Sequence, residues 1–242
     1  MYKFVAVLFN NTTNNESLKL FFAALFPFFT LLALGIDSVA FAKSYFDGRT
    51  LTNVLAITYF SLFFYASQSY LRKLMFCMVF LSYIGELLFC KLLGMYHYRT
   101  NFIPLYVPFG HAIVYASGFV LAESSFLMKR DAHFKKLFSF GFALLFLAVG
   151  ILLRDVFSLI FGLLFFILMK RKKGQILYYT IALCVIFIEL VGTYFKCWTW
   201  IPKTFNFIPA ANPPMGAVFF YAGGDVILVK IVSLWKPNVQ PS

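Results

Sequence analysis

The sequence predicts an all-α integral membrane protein with about eight transmembrane helices, built as two tandem four-helix repeats related by a pseudo-twofold axis along the membrane normal. Hydrophobic residues make up 62% of the 242 residues and charged residues only 12%. So few charges cannot cover the surface of a soluble domain. Apolar runs close to the ~20 residues that cross a bilayer recur along the chain, and one distinctive stretch occurs twice.

The predicted spans follow one another with short connections. They cover 18–36, 51–71, 74–94, 106–128, 137–153, 156–170, 176–195 and 214–235. Only Arg154 and Asp155 separate the fifth span from the sixth, and these two are the shortest. A single re-entrant hairpin is therefore an alternative to two full spans. Two full spans keep the halves in register, which predicts repeats over 1–128 and 129–242.

The distribution of basic residues predicts the orientation. With the N-terminus inside, fourteen of the 21 Lys and Arg residues lie on the inner side and seven on the outer side. This is the sorting that the positive-inside rule describes, so both termini are predicted to be cytoplasmic. Four spans per repeat give both halves the same orientation. Because the net charge of +12 lies in clusters between apolar runs, nucleic acid is not an expected partner.

The repeated stretch covers 86–118 and again 189–224. Each copy contains a glutamate, a glycine, two aromatic residues separated by one position, an Ile-Pro dipeptide and a Pro-x-Gly block. In the ungapped comparison of 108–118 with 214–224, five of eleven positions are identical. Contact with lipid does not select for Pro and Gly, so the similarity exceeds what shared hydrophobicity explains.

Four ionisable residues are the candidate catalytic groups. Glu86 and Glu189 lie at matching places, about two turns from the outer ends of their helices. A carboxylate at such a depth is costly unless it is protonated, paired or open to a wet cavity. His111 and Asp225 each occur in one half only, which makes the predicted site asymmetric. We predict that the three carboxyl groups transfer protons and that His111 tunes them. A purely structural interhelical hydrogen bond is the alternative.

Candidate substrate-binding residues surround these groups. They are Tyr115, Tyr221, Asn212, Trp198 and Trp200. The two tyrosines occupy equivalent positions on the fourth helix of each repeat, and Tyr115 shares a helix face with His111. The two tryptophans lie in an outer loop, where they line a pocket or form an interfacial aromatic belt. Asn212 either caps the last helix or belongs to the site.

Metal and thiol chemistry have little support in the sequence. The chain has only three histidines and no Cys/His cluster, so no metal site is predicted, and no cofactor can be identified. A disulfide between Cys90 and Cys197 is an open alternative to free thiols. The layout of a glutamate followed by glycine and paired aromatic residues loosely resembles membrane carotenoid-modifying enzymes of the lycopene cyclase type. That resemblance carries no residue roles to this chain.

Three functions remain open at this stage. We predict a membrane-embedded enzyme that performs acid–base chemistry on a lipid or isoprenoid near the outer leaflet. The first alternative is a small-solute or proton-coupled transporter that uses the same carboxyl groups at the interface between repeats. The second is a non-catalytic subunit of a membrane complex, with its partners bound at the aromatic outer loops. The lipid bilayer surrounds the protein in all three.

Overall fold

The structure is a computed structural model that describes residues 16–172 and 174–235, most of them helical. The longer helices are α1 (Glu16–Ile36), α3 (Arg49–Ala66), α4 (Ser69–Glu86), α5 (Tyr106–Ala122), α7 (Asp131–Leu152), α8 (Val156–Lys170), α9 (Gln175–Tyr194) and α10 (Val218–Leu234). The short helices α2 (Val39–Ser44) and α6 (Ser125–Met128) lie between them. α4 continues as a π-helix over Leu87–Leu92, and a 3₁₀ turn over Met215–Ala217 precedes α10.

Five helical segments are long and apolar enough to cross a membrane. They are Glu16–Ile36, Ser69–Leu92, Asp131–Leu152, Gln175–Tyr194 and Met215–Leu234. Tyr106–Ala122 and Val156–Lys170 are apolar but shorter. This is consistent with the predicted multi-pass integral membrane protein, and a helix lies in each of the eight predicted ranges.

The number of eight spans and the orientation of the termini remain predictions. Three of the basic residues that predict the orientation lie outside the described residues, namely Lys3, Lys173 and Lys236.

Helix α5 lies at the centre of the bundle. Thirteen of its 17 residues are buried, and it packs against α1, α3, α4 and α9. Small residues permit this close packing. An added Cβ at Gly118 would lie 2.7 Å from the Cα of Ile181 on α9. Thr180 of α9 also donates its hydroxyl to the Gly118 carbonyl at 2.8 Å. The contact between α5 and α9 therefore requires glycine at position 118.

Two short antiparallel sheets add to the helical architecture that the sequence predicts. β1 (Tyr96–Tyr98) pairs with β2 (Trp198–Trp200), and β3 (Lys203–Thr204) pairs with β4 (Ile208–Pro209). We call the end of the bundle that carries these strands the sheet end. Aromatic residues favour extended strands, and pairing satisfies the backbone groups of two segments that leave the helices.

A buried ion-pair network links the ends of α1, α3 and α5 at the sheet end. The fully buried carboxylate of Asp37 accepts hydrogen bonds from Arg49 Nε at 3.1 Å, Arg99 Nη2 at 2.8 Å and the Tyr106 hydroxyl at 2.8 Å. One side chain thereby joins the end of α1 to the starts of α3 and α5 and to the residue after β1. All four cysteines are free thiols, so the structure contains no disulfide between Cys90 and Cys197.

Candidate functional site

Two buried glutamates face a single cavity. Glu86 is the last residue of α4 before the π-helix, and Glu189 lies near the sheet end of α9. Their exposed fractions are 4% and 9%, so both side chains face the protein interior. Both line a cavity of about 490 Å³. That volume falls within the range of roughly 300–1,000 Å³ typical of small-molecule sites.

The β1–β2 sheet forms one wall of this cavity. Successive residues of a strand point to opposite faces, so the aromatic residues at both ends of each three-residue strand share one face. All four line the cavity: Tyr96, Tyr98, Trp198 and Trp200. The ring centroids of Tyr96 and Trp200 are 4.8 Å apart and those of Tyr98 and Trp198 are 6.2 Å apart. The wall is therefore a continuous aromatic surface.

Glu86 is held by three side chains. Its Oε2 accepts hydrogen bonds from the Tyr96 hydroxyl at 2.9 Å and the Tyr98 hydroxyl at 2.7 Å. Burial and the nearby Glu86 charge raise the pKa of both tyrosines well above its ordinary value, so the hydroxyls stay protonated as donors. On the other side, His111 Nε2 lies 3.0 Å from Glu86 Oε1.

Glu189 is held in the same manner as Glu86, by the two tryptophans of β2. Its Oε2 accepts hydrogen bonds from Trp198 Nε1 at 2.9 Å and Trp200 Nε1 at 3.0 Å. An indole N–H can only donate a hydrogen bond, so Glu189 Oε2 is the acceptor in both of these contacts. Asn212 Oδ1 accepts a hydrogen bond from the Trp200 backbone N–H at 3.0 Å. Asn212 thus positions β2 and does not line the cavity.

His111 connects the two halves of the site. Its imidazole stacks on the Tyr221 ring, with centroids 5.1 Å apart and an angle of 17° between the planes. Both residues line the cavity. The contact with Glu86 brings two of the four candidate catalytic groups within hydrogen-bonding distance of each other. Either the imidazole or the carboxylic acid can donate the hydrogen, because the roles depend on the tautomer.

Asp225 lies in a separate cluster. Only 2% of it is exposed, and it accepts hydrogen bonds from the hydroxyls of Tyr115 at 2.7 Å and Tyr178 at 2.6 Å. Neither Asp225 nor Tyr115 lines the cavity. Tyr178 and Glu189 are eleven residues apart on α9, which is about 16 Å along a helix axis. Three of the four candidate catalytic groups, Glu86, His111 and Glu189, therefore line one cavity, and Asp225 does not.

Three tyrosines that bind the candidate catalytic carboxyl groups are not among the site residues predicted from the sequence. Tyr96 and Tyr98 bind Glu86, and Tyr178 binds Asp225. The first two carry a usable signal, because a Tyr-x-Tyr spacing places both rings on one face of a strand. Tyr178 occurs in an apolar helix with no comparable pattern.

Residues 16–172 and 174–235 contain no group of three or more His, Cys, Asp or Glu side chains placed to hold a metal ion. Comparison of the chain with protein-family models, with characterised proteins and with solved structures finds no match.

Proposed function

We propose that this protein is a membrane-embedded enzyme that performs acid–base chemistry on a lipid or isoprenoid. The observation that carries the proposal is the 3.0 Å contact between His111 Nε2 and Glu86 Oε1 on the wall of an otherwise largely apolar cavity. An imidazole and a carboxyl group in contact can share one proton and pass it to or from a bound molecule. Such a pair contributes about 10²–10⁴-fold to a reaction rate.

The surrounding side chains suit this chemistry. Two tyrosine hydroxyls fix one oxygen of Glu86 and leave the other to His111. Stacking on Tyr221 holds the imidazole plane. Glu189 supplies a second carboxyl group on the same cavity, so one carboxyl can act as the acid and the other as the base. The fixed positions lower the reorganisation needed during proton transfer.

The proposal includes an architecture of two repeats, 1–128 and 129–242, related by a twofold axis. The register of the β1–β2 sheet supports it. A twofold axis through the middle of this antiparallel pair carries Tyr96 onto Trp198 and Tyr98 onto Trp200, the same correspondence that the sequence comparison gives. In addition, each glutamate is bound by the aromatic pair that follows it in its own half.

In this proposal the chain crosses the membrane eight times, both termini are cytoplasmic, and the sheet end faces the outside. The supporting observations are the eight helices in the predicted ranges and the sorting of basic residues. The chemistry then takes place in the outer half of the bilayer.

A proton-coupled transporter is the second candidate. The observation that favours it is the separate buried cluster of Asp225, Tyr115 and Tyr178, which lies further from the sheet end than Glu189 does. Carboxyl groups at two depths are typical of proton pathways. If the protein transports protons, the interior of vesicles that contain it should become acidic, and Asp225→Asn should abolish this acidification. That result would favour transport over catalysis. A structural subunit, bound to its partners through the aromatic outer loops, would show neither proton flux nor lipid conversion.

The enzyme is tested by mass spectrometry of total lipid extracts. We expect cells that make the parent protein to contain a lipid species absent from cells that make Glu86→Gln or His111→Gln. Glu123→Gln is the matched control, because Glu123 lies after α5 at the opposite end of the bundle and contacts Lys19 at 3.6 Å. Identical lipid profiles for the parent and both site variants would refute the proposed enzymatic function.

A further inference from the structure

The contact between α4 and α10 is closed by aromatic pairs at both ends. Toward the sheet end, the ring centroids of Phe89 and Phe220 lie 4.6 Å apart. At the other end, those of Phe76 and Trp235 lie 6.1 Å apart. These two pairs bracket the middle of the interface.

Glycines occupy the middle of this interface. Gly85 of α4 and Gly223 and Gly224 of α10 all line the cavity. A Cβ added at Gly223 or Gly224 would meet no other atom within 4 Å. These glycines are therefore not required by close packing, unlike Gly118. They leave open space between the helices.

The same section of the interface faces outward. Ile84 lines the cavity and is 62% exposed, and Leu88 and Ile227 also line the cavity while being exposed. Apolar side chains that border both an internal cavity and the outer surface of a membrane bundle mark a lateral opening to lipid. The π-helical turn beside this opening begins immediately after Glu86, and such turns are frequent at functional sites.

The charges of the cavity restrict what can occupy it. Glu86, Glu189 and His111 line it, whereas no lysine or arginine does among the residues that the structure describes. A buried phosphate or carboxylate would face two carboxyl groups without a lysine or arginine to pair with, which is strongly unfavourable in a low-dielectric site. An uncharged apolar molecule meets no such penalty.

We propose that the cavity takes an uncharged, membrane-dissolved molecule that enters sideways from the bilayer between α4 and α10, through the window formed by Gly85, Gly223 and Gly224. This inference rests on the proposed function, for which it gives the charge class and access route of the substrate. Anionic lipids such as those with a phosphate head group are excluded as occupants of the cavity.

Tryptophan fluorescence gives a direct test. The chain has three tryptophans, so Trp235→Phe leaves only Trp198 and Trp200 on the cavity wall as reporters. The purified Trp235→Phe protein is reconstituted in phosphatidylcholine vesicles that contain either a brominated long-chain alcohol or a brominated long-chain alkyl sulfate. Bromine quenches indole fluorescence at short range. We expect quenching by the uncharged alcohol and much weaker quenching by the anionic sulfate.

Filling the window should abolish the effect of the alcohol. Gly224→Leu, or Gly223→Leu if the first variant does not fold, places a branched side chain in the open space. Gly141→Leu is the matched control, because Gly141 is exposed on α7 and its Cβ would also meet nothing within 4 Å. We expect the control to retain full quenching.

Two results would overturn the inference. One is equal quenching by the alcohol in the window variants and the control, and the other is equal quenching by the alcohol and the sulfate. A failure of the enzyme proposal looks different, since no lipid conversion would be found while the window-dependent quenching persisted.

Discussion

Replacing Gly192 by alanine tests the aromatic support of Glu189. An added Cβ at this position would lie 2.5 Å from Cζ3 of Trp198, and closer still to two other atoms of the indole ring. The ring is a rigid group packed in a buried wall, so it must shift as a whole. Because Trp198 Nε1 donates to Glu189 at 2.9 Å, the shift also removes one of the two hydrogen bonds that hold this carboxyl group.

The expected loss of stability combines two effects. Overpacking a filled interior costs about 1–3 kcal/mol. Loss of a hydrogen bond to a charged group costs about 1.5–3 kcal/mol. Together they come to about 2.5–6 kcal/mol, which at ~2–4 °C per kcal/mol for a chain of this size lowers the melting temperature by at least about 5 °C.

The assay is thermal unfolding in detergent, followed by the reaction of buried cysteines with a fluorogenic thiol reagent. Gly223→Ala is the control, since its Cβ would meet nothing within 4 Å and glycine to alanine within a helix stabilises by about 0.5–1 kcal/mol. Equal melting temperatures for Gly192→Ala and Gly223→Ala would show that Trp198 is not packed against Gly192, and the geometry around Glu189 would be refuted.

Three further predictions concern the sheet end and the aromatic wall. Asp37→Asn should destabilise the protein by about 3–5 kcal/mol, because it leaves two arginines without their buried anionic partner. Asp47→Asn should change stability by less than about 1 kcal/mol, because the Asp47 side chain is 59% exposed. Thermal unfolding of the two variants distinguishes these effects. The hydrogen bond from Arg99 lowers the pKa of Asp47. The stabilisation that this ion pair contributes should therefore be present above the ordinary carboxyl pKa of about 4 and be lost as the pH falls through the lowered pKa of Asp47. Melting temperatures of the parent and Asp47→Asn, measured as a function of pH, test this. Tyr98→Phe removes the 2.7 Å hydrogen bond to Glu86 and should cost about 1.5–3 kcal/mol in the same melting assay, and an unchanged melting temperature would contradict that contact.

Periodicity and composition predicted the positions of the helices, because runs of apolar residues of spanning length leave few alternatives. They also predicted that Glu86 and Glu189 are buried, since a repeated carboxylate in an apolar segment needs a polar environment. Both inferences depend on position along one helix, which the sequence contains directly.

Contacts between distant segments could not be predicted in the same way. The pairing of β1 with β2 joins residues about a hundred positions apart, and the strands are too short for an alternating pattern to stand out. Asp225 was expected near the glutamates, but depth along α10 does not identify its partners on α5 and α9. The sequence does not single out Asp37, because the arginines that bind it come from separate parts of the chain.

The central claim is that Glu86 and His111 exchange a proton with a bound molecule. The most direct measurement is the rate of the lipid conversion in reconstituted Glu86→Gln protein relative to the parent, with melting temperatures recorded for both. Glutamine keeps the shape of a protonated glutamate and can still accept hydrogen bonds from the two tyrosines, so the variant should fold. We predict a rate at least about a hundredfold lower, the usual effect of losing an acid–base group. A folded Glu86→Gln protein with the parent rate would contradict the claim.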